Sequence, residues 1–462
     1  MAAAPVELAI RGGTIVTPDT FAPADIGIRD GRIVQIGGTI AAEREIDARG
    51  RYVLPGGIDM HVHLTPVEVA DGTVKWMDDF ASGSRAAAAG GITTLGNITF
   101  PRPGEGLQAT IDNAAIDAAR SSIVDFVLHP VLLDPSPERL AEIPLLAAQG
   151  HTSLKIFMIL GEFDARAIEY LEAMSLAGQN GLLTLIHCED ACIISVLTQR
   201  LLAAGRGDLR HYPDSRPIYS ESVAVARAAA LCEAARAPIY IVHLSSREAL
   251  REASRARARG LPVYVETRPL YLYFTAEKFE GPDAGLYIGN PPLRSADDVD
   301  ALWAGLSTGT VQTCCTDHAP WSREQKVAPG LTIASAPPGV ADLETLMPIM
   351  YSEGVRKGRL SLQHFVDVTS TNAAKLFGLF PQKGTIAVGS DADLAIWDPN
   401  LARTVKAAEG QSMADYSLYE DWTVTGWPVP TISRGDIIYD AGRITAQGGR
   451  GRLVRRGPTM QL

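Results

Sequence analysis

The sequence predicts a (β/α)8 TIM barrel joined to a smaller β-sandwich domain that both chain ends form. In the middle of the chain, short apolar runs alternate with Ala-rich segments of helical length. The two ends instead share a pattern of short β-rich runs separated by glycine turns. At 462 residues and 46% hydrophobic content, the chain can bury one large core and a second, smaller one.

The N-terminal and C-terminal segments resemble each other. Short β-rich runs with Gly and Asp-Gly turns, typical of hairpins, occur in "LAIRGGTIVTP" and "ADIGIRDGRIVQIG" near the N-terminus. The same pattern occurs in "SDADLAIWDP" and "PTISRGDIIYDAGRI" near the C-terminus. We therefore predict that residues 1–54 and residues 384–462, which include the C-terminal tail, form one β-sandwich domain.

The central segment, residues 55–383, contains eight candidate strands. They are "GGIDMHVHL", "GITTLGN", "IVDFVLH", "TSLKIFMI", "GLLTLIH", "APIYIVHL", "LPVYVE" and "GTVQTCCTD". Segments rich in Ala, Leu, Glu and Arg separate them, which favours a barrel of alternating strands and helices. A doubly wound sheet is the alternative, but no Gly-x-Gly-x-x-Gly turn follows the first candidate strand.

Charge and composition exclude several classes of protein. The formal charge of −11 argues against nucleic acid as the main partner, because the sequence offers phosphates no basic stripe. No apolar run reaches the roughly 20 residues needed to span a bilayer, and "MAAAPVELAI" does not read as a secretory signal. We expect a soluble, cytoplasmic protein whose five cysteines are reduced and buried.

Polar residues end several of the apolar runs, and barrel enzymes carry their chemistry at those strand ends. His61 and His63 stand two residues apart, so both imidazoles project from the same face of a strand and can share one cation. His187, His243 and Asp317 each end a later candidate strand. A single histidine in such a place is more often structural, as we predict for His129, but the joint pattern indicates a metal site.

Lys155 lies inside the apolar run "HTSLKIFMIL", on the fourth candidate strand. An unpaired buried ammonium is costly. Either its charge is matched, or its pKa is depressed, or its nitrogen has been chemically converted.

The segments "GGIDMHVHL", "SLKIFM", "LIHCED", "IVHLSS" and "CTDHAP" resemble the metal-dependent amidohydrolase superfamily and its cyclic amidases. "ETRPLYLYF", "NPPLR" and "TSTNAAKLFGLFPQKGTIAVGSDADLAIWDP" are similar to the hydantoinase and dihydropyrimidinase branch. The resemblance covers nearly the whole chain.

The resemblance implies a centre of two divalent ions, usually zinc, bridged by Lys155 after CO₂ has carboxylated it to a carbamate. His61, His63 and Asp317 would hold one ion, and His187 and His243 the other. Asp317 would also act as general base and acid, although it could be a ligand only. The resemblance further implies a homotetramer or homodimer, with the basic tail "GGRGRLVRRGPTMQL" crossing to a neighbour; a solvated tail is the alternative.

Three positions depart from the pattern of this branch and bear on the substrate. Leu160 stands where hydantoinases and dihydropyrimidinases commonly place a tyrosine that supports the developing oxyanion. Asn290 replaces a serine that offers backbone contacts to the cyclic amide, and Ser335 replaces an asparagine. We predict that these residues contact substrate; the alternative is that Asn290 and Ser335 are ordinary loop residues. With Val67, Val69, Trp76 and Phe100 on nearby loops, Leu160 predicts an apolar pocket.

The function that these features indicate is hydantoinase-like hydrolysis of a cyclic amide C–N bond. A 5-substituted hydantoin or a dihydropyrimidine would open to an N-carbamoyl amino acid. The alternatives are an allantoinase, another cyclic imide or lactam hydrolase with the same site, and a non-enzymatic homologue. All six ligand positions are intact, which disfavours the last of these.

Overall fold

Most strands lie in parallel sheets from the middle of the chain or in mostly antiparallel sheets from its ends, and one further pair of strands in the middle of the chain is antiparallel. The structure is a computed structural model that describes residues 5–69 and 72–462, and at residues 68 and 69 the backbone alone. The strands are β1 (Val6–Arg11), β2 (Thr14–Thr17), β3 (Thr20–Pro23), β4 (Ile26–Arg29), β5 (Arg32–Ile36), β6 (Ala42–Asp47), β7 (Tyr52–Pro55), β8 (Gly57–Val62), β9 (Val67–Val69), β10 (Gly72–Val74), β11 (Ile92–Thr99), β12 (Asp125–Pro130), β13 (Ser153–Phe157), β14 (Leu183–His187), β15 (Ile239–Ile241), β16 (Val263–Thr267), β17 (Thr313–Cys314), β18 (Leu394–Thr404), β19 (Thr423–Ser433), β20 (Asp436–Asp440) and β21 (Arg443–Ile444).

Helices lie between the parallel strands and after the last of them. They are α1 (Phe80–Ala89), α2 (Leu107–Ser121), α3 (Pro137–Ala148), α4 (Gly161–Ala165), α5 (Ala167–Gln179), α6 (Ala191–Ala203), α7 (Tyr212–Ser215), α8 (Ile218–Ala235), α9 (Arg247–Ala258), α10 (Pro269–Tyr273), α11 (Ala296–Ser307), α12 (Arg323–Lys326), α13 (Leu346–Ile349), α14 (Leu362–Val366) and α15 (Asn372–Leu376). Local side-chain caps start several of them: Asp79 caps α1, and Ser295 forms a capping box with Asp298 on α11. None of the helices in the described ranges is long and apolar enough to cross a membrane.

The parallel strands lie in two sheets, ordered β12-β11-β8 and β13-β14-β15-β16-β17. Two isolated parallel bridges link the edges of these sheets, one between Val131 and Lys155 and one between Val62 and His318. Each of the eight candidate segments overlaps one of these strands. Every residue of β8, β11, β12 and β14 is buried, which explains their continuous apolar runs, because helices and sheet cover both faces of such strands.

The sheets from the chain ends have the orders β5-β4-β1-β6 and β21-β20-β19-β18-β7-β2-β3. Strand β18 pairs antiparallel with β7, so that Leu394 lies opposite Pro55 and the two ends of the chain meet directly. One hydrophobic cluster draws side chains from both sheets, including Ile10 and Ile28 from the first and Val53 from the second.

A buried ion network joins the end segments to the parallel sheet. The Lys383 ammonium lies 2.8 Å from Asp125 Oδ2, 3.2 Å from Asp391 Oδ2 and 2.5 Å from Asp393 Oδ2. Arg434 approaches Asp125 at 3.2 Å. These three carboxylates are close enough together to hold a cation, and Lys383 supplies that charge.

The C-terminal tail packs against its own chain as far as residue 460. The amides of Val454 and Arg456 donate to the carbonyls of Phe126 and Gly150, each at 2.9 Å, and Arg456 is 5% exposed. This part of the tail is therefore not a solvated end, whereas its predicted crossing to a neighbour stays a prediction.

The cysteines agree with the prediction of free thiols, because all five are unpaired. Four are buried, but Cys192 is exposed, where burial had been expected. It is an early residue of α6 and follows the Asp190 cap, so its position on the helix turns it towards solvent.

Candidate active site

The structure brings the six predicted ligand residues to the same end of the parallel strands. His61 lies in β8 and His63 directly follows it, Lys155 lies in β13, and His187 ends β14. His243 comes two residues after β15 and Asp317 three residues after β17. The histidines and Lys155 are all at most 9% exposed.

Distances between these side chains show how closely they converge. Asp317 Oδ1 lies 3.2 Å from His61 Nε2 and 2.9 Å from His63 Nε2. The ring of His243 lies 5.4 Å from that of His61 and 4.5 Å from that of His187, measured between centroids. One ligand atom each from His61, His243 and Asp317 fall within 4.8 Å of one another, which is compact enough for a shared cation.

Lys155 is fully buried, and its Nζ has no hydrogen-bond partner within the described part of the chain. It lies 4.6 Å from the centroid of the Phe157 ring. Burial lowers the pKa of Lys155 to about 8, although Asp317 and Glu266 oppose this shift. Of the three possibilities raised by the sequence, a matched charge finds no support among the described residues, where no carboxylate is paired directly with Lys155.

Two buried glutamates orient two of the histidines, and the sequence reading missed both. Glu266 Oε1 lies 2.8 Å from His61 Nδ1, and Glu189 Oε2 lies 2.8 Å from His187 Nε2. Because an ionised carboxylate only accepts, each histidine donates through that nitrogen, which leaves its other ring nitrogen for other contacts; in His61 that nitrogen, Nε2, lies 3.2 Å from Asp317 Oδ1. Metal-ligating histidines are held in this way in known metal sites. The available signal was that Glu266 ends the run "LPVYVE" and Glu189 follows His187 by two residues.

Further hydrogen bonds hold these two glutamates in place. Glu266 also accepts from the backbone amide of His243 at 2.9 Å and from the Tyr240 hydroxyl at 2.9 Å. Arg216 donates to Glu189 at 3.0 Å. Burial alone would raise the pKa of Glu189, but Arg216 and His187 outweigh it and hold that pKa at about 2. Both glutamates are thus held as fixed acceptors.

Asp317 is ionised and constrained. Burial opposes its charge, but Arg268, His61 and His63 outweigh burial and hold the pKa of Asp317 well below its usual range. Asp317 and His243 also have positive φ angles of 50° and 38°, a conformation that is strained for residues other than glycine. Strained backbone at two convergent polar residues is typical of a functional site.

Aromatic side chains line one side of this cluster of predicted ligands. The ring of His63 lies 5.5 Å from Trp76 and 6.2 Å from Phe100, and Phe100 stacks on Phe157 at 5.5 Å. Trp321 packs edge-on against Trp76 at 5.1 Å. The two predicted rim aromatics therefore do border the candidate site.

The other residues that were predicted to contact the substrate differ from one another in exposure and in hydrogen bonding. Leu160 is 36% exposed at the start of α4, and Val67 is half-buried in β9, while the side chain of Val69 lies outside the described residues. Asn290 accepts a hydrogen bond from the Tyr212 hydroxyl. Ser335 lies in an exposed turn, where its Oγ accepts from the Thr332 amide at 2.9 Å. Their contacts with substrate stay predictions.

His129 and His318 behave as structural residues. His129 Nδ1 lies 2.6 Å from Ser153 Oγ, and burial lowers the pKa of His129 well below its usual value. His318 Nε2 lies 2.8 Å from Asp78 Oδ2. His318 also lines a cavity of about 710 Å³ together with Asp342, Glu344, Arg403 and Tyr416, and none of the six predicted ligands lines it.

Comparisons of sequence and of structure with known proteins point to the same family. Residues 52–438 match the amidohydrolase family. The chain is 38% identical over 456 residues to a D-hydantoinase from Ralstonia pickettii, covering 98% of this chain and 99% of that protein. A solved D-hydantoinase structure matches with a TM-score of 0.94 at 37% identity, covering 99% of this chain and 100% of that one. A dihydropyrimidinase from Brevibacillus agri NCHU1002 matches with a TM-score of 0.93 at 36% identity, covering 98% and 99%.

Proposed function

Because this chain belongs to the amidohydrolase family, we propose that it is a hydrolase that opens cyclic amides of hydantoin type at a C–N bond. A 5-substituted hydantoin or a dihydropyrimidine would yield an N-carbamoyl amino acid. The observation that carries the proposal is the pairing of His61 with Glu266 and of His187 with Glu189, at 2.8 Å each, around a buried lysine without a partner.

The residues at the site fit a pair of divalent ions. His61, His63 and Asp317 would hold one ion, and His187 and His243 the other. Lys155 would bridge them as a carbamate, which would turn an orphaned buried amine into a two-oxygen anionic ligand. Imidazole and carboxylate donors suit Zn²⁺ and also suit Mn²⁺ or Co²⁺; we propose Zn²⁺.

Such ions, when bound, polarise a carbonyl and activate a water molecule. The chain's own residues then provide orientation and proton transfer. Asp317 accepts a proton from the attacking water and returns it to the ring nitrogen that leaves. Glu266 and Glu189 keep the imidazoles in the required tautomer, so that the site needs little reorganisation.

The fold arranges these groups in the manner of a barrel enzyme. We propose that the parallel strands β8 and β11 to β17 close into a (β/α)8 barrel spanning residues 55–383. The two bridges between the sheet edges, at Val131 with Lys155 and at Val62 with His318, support closure. Residues 1–54 and 384–462 would form the β-sandwich domain, which their shared hydrophobic cluster supports.

The substrate's ring substituent would face the aromatic wall. Trp76, Phe100 and Phe157 offer apolar surface beside His63 and His187, so a hydrophobic group at ring position 5 suits the site better than a charged one. Leu160, at the exposed rim, would extend this surface.

A substrate panel combined with metal analysis tests the proposal. The purified protein, supplied with zinc, is assayed against 5-substituted hydantoins, dihydropyrimidines, allantoin, dihydroorotate and cyclic imides. We expect turnover of 5-substituted hydantoins, with loss of both turnover and bound metal in Lys155→Ala.

His129→Asn is the matched control, because His129 also lies near a strand end but is held by Ser153; its metal content should equal that of the wild type. Full activity in Lys155→Ala would contradict the proposed site. Less than one equivalent of metal together with no turnover would instead favour a non-enzymatic homologue.

A further inference from the structure

The cavity of about 710 Å³ beside His318 has no role in the proposed function. Its walls are the segment 341–345, the end of β18 with the loop that follows it, and Trp427 of β19. None of the six predicted metal ligands lines it. Pockets that bind small molecules typically have about 300–1,000 Å³, so this cavity can hold a ligand of its own.

Glu344 provides an acceptor on one wall of this cavity. Its Oε2 accepts from the backbone amide of Gln411 at 2.6 Å. Its Oε1 has no hydrogen-bond partner among the described residues, and the side chain is partly exposed, so a ligand can reach it. Burial raises the pKa of Glu344 to about 7, although Arg403 opposes this shift. A cation bound at Oε1 would stabilise the ionised carboxylate.

Arg403 provides donors in the same cavity. Its Nη1 donates to the Tyr439 hydroxyl at 2.8 Å, and its guanidinium carbon lies 5.3 Å from the centroid of the Trp427 ring. These two contacts hold the group in place. Its Nε and Nη2 have no hydrogen-bond partner within the described ranges, and neither nitrogen is enclosed by protein. Arg403 and Glu344 thus line one cavity without pairing directly with each other.

The other charged groups that line the cavity are less suited to a ligand. Lys406 is already paired with Asp421. Both carboxylate oxygens of Asp342 are enclosed by protein, so a ligand cannot contact them. Glu409 is exposed to solvent, where its charge is screened. The carboxylate and the guanidinium described above are therefore the charged contacts that the cavity offers.

Opposite charges that face one cavity without pairing match a ligand that carries both charges. An ammonium group suits Oε1 of Glu344. A carboxylate suits the edge of Arg403 formed by Nε and Nη2, which can donate two nearly parallel hydrogen bonds. Val405, Ala414 and Trp427 add apolar surface to the lining, which suits an apolar side chain on the ligand.

We propose that this cavity binds a free α-amino acid with an apolar side chain, whose ammonium group contacts Glu344 and whose carboxylate contacts Arg403. The site lies outside the cluster of predicted metal ligands and does not depend on the proposed function. Such an amino acid is what removal of the carbamoyl group would release from the product proposed above, and only this link rests on the proposed function.

Calorimetric titration of the zinc-loaded full chain tests the site. The probes are phenylalanine, N-acetylphenylalanine, which lacks the ammonium group, and phenethylamine, which lacks the carboxylate. We expect the wild type to bind one molecule of phenylalanine per chain. The Kd for phenylalanine should stay the same after zinc has been removed, because no predicted metal ligand lines the cavity.

Two variants identify the two contacts. Glu344→Gln should raise the Kd for phenylalanine and phenethylamine by about 10- to 100-fold, as for loss of a charge-assisted hydrogen bond, and leave that for N-acetylphenylalanine unchanged. Arg403→Met should weaken phenylalanine and N-acetylphenylalanine by a similar factor and leave phenethylamine unchanged. Arg403→Lys, which keeps one charged donor, should restore part of the affinity and serves if the methionine variant does not fold.

Glu142→Gln is the matched control. Glu142 is also partly buried and accepts from a backbone amide, that of Gln108 at 2.9 Å, but it lies outside the cavity, so the three Kd values should not change. The inference would be overturned if the wild type bound no phenylalanine at millimolar concentration, if binding disappeared with the zinc, or if both variants weakened all three probes equally. Absence of ring opening by the wild type would refute the proposed function and leave these titrations to decide on the cavity.

Discussion

Replacing Glu266 by glutamine isolates the charge of a group that orients a proposed metal ligand. Glutamine has the same shape, so its oxygen can still accept from His61 Nδ1 and from the His243 amide, now 2.8 Å and 2.9 Å from Glu266 Oε1. Its NH₂ group can donate to the hydroxyl of Tyr240, which in turn can donate to Thr313 Oγ1 at 2.6 Å. Every polar atom therefore keeps a partner.

The negative charge is lost, and with it the basicity that the carboxylate lends to His61. Loss of such an outer carboxylate typically costs 10- to 100-fold in metal affinity, which is about 1.4–2.7 kcal/mol. Glu266→Ala should be worse, because the buried donors of His61, His243 and Tyr240 lose their acceptor, and it should lower the unfolding free energy of the metal-free protein by about 2–4 kcal/mol.

The assay is a chelator competition that measures the zinc Kd of each variant, alongside thermal unfolding of the metal-free protein. We expect Glu266→Gln to raise the Kd with little change in Tm. Glu221→Gln is the control, since Glu221 is equally buried and accepts from Ser245 and Ser246 instead of a ligand histidine. An unchanged Kd in Glu266→Gln would refute the assigned role of the Glu266–His61 pair.

Three further predictions concern parts of the fold around the site. Lys383→Met leaves the carboxylate of Asp393 buried without its cation and Asp125 with Arg434 alone, so the unfolding free energy should fall by about 3–5 kcal/mol in chemical denaturation; an unchanged midpoint would contradict this. Burial raises the pKa of Glu344 to about 7 from its usual 4.5, so its contribution to stability is full at low pH and is lost as pH rises through 7. Between about pH 5 and about pH 8, the Tm of Glu344→Gln relative to wild type should therefore rise, by an amount equivalent to at most about 2.5 kcal/mol; a flat difference would show that Glu344 does not titrate in this way. Lys326→Met removes the ammonium that donates at 2.7–2.9 Å to three backbone carbonyls on the loops beside Asn290. The variant should have a higher KM and an unfolding free energy lower by about 3 kcal/mol. An unaltered KM in steady-state kinetics would argue that Lys326 does not position these loops.

The sequence was sufficient to predict the parallel strands and the polar residues that stand at or just after their ends. Continuous apolar runs predicted all eight parallel strands, because strands covered on both faces need apolar side chains throughout. Their lengths were predicted less well: β17 keeps only Thr313–Cys314, and Asp317 follows it on a turn with positive φ. The family, the hydrolytic activity on cyclic amides and the convergence of the predicted ligand residues agree with the sequence reading.

What the sequence by itself determined was which residue types stand at the strand ends, since local patterns of apolar and polar residues decide that. Only the tertiary structure decided how the strand ends pair. Glu266 meets His61 across 205 positions of the chain, and Arg268 meets Asp317 across a neighbouring strand. Such contacts depend on which strands become neighbours and on their register, which no local pattern encodes. A buried glutamate beside an imidazole, or a buried arginine beside an aspartate, exists only once the sheets have assembled.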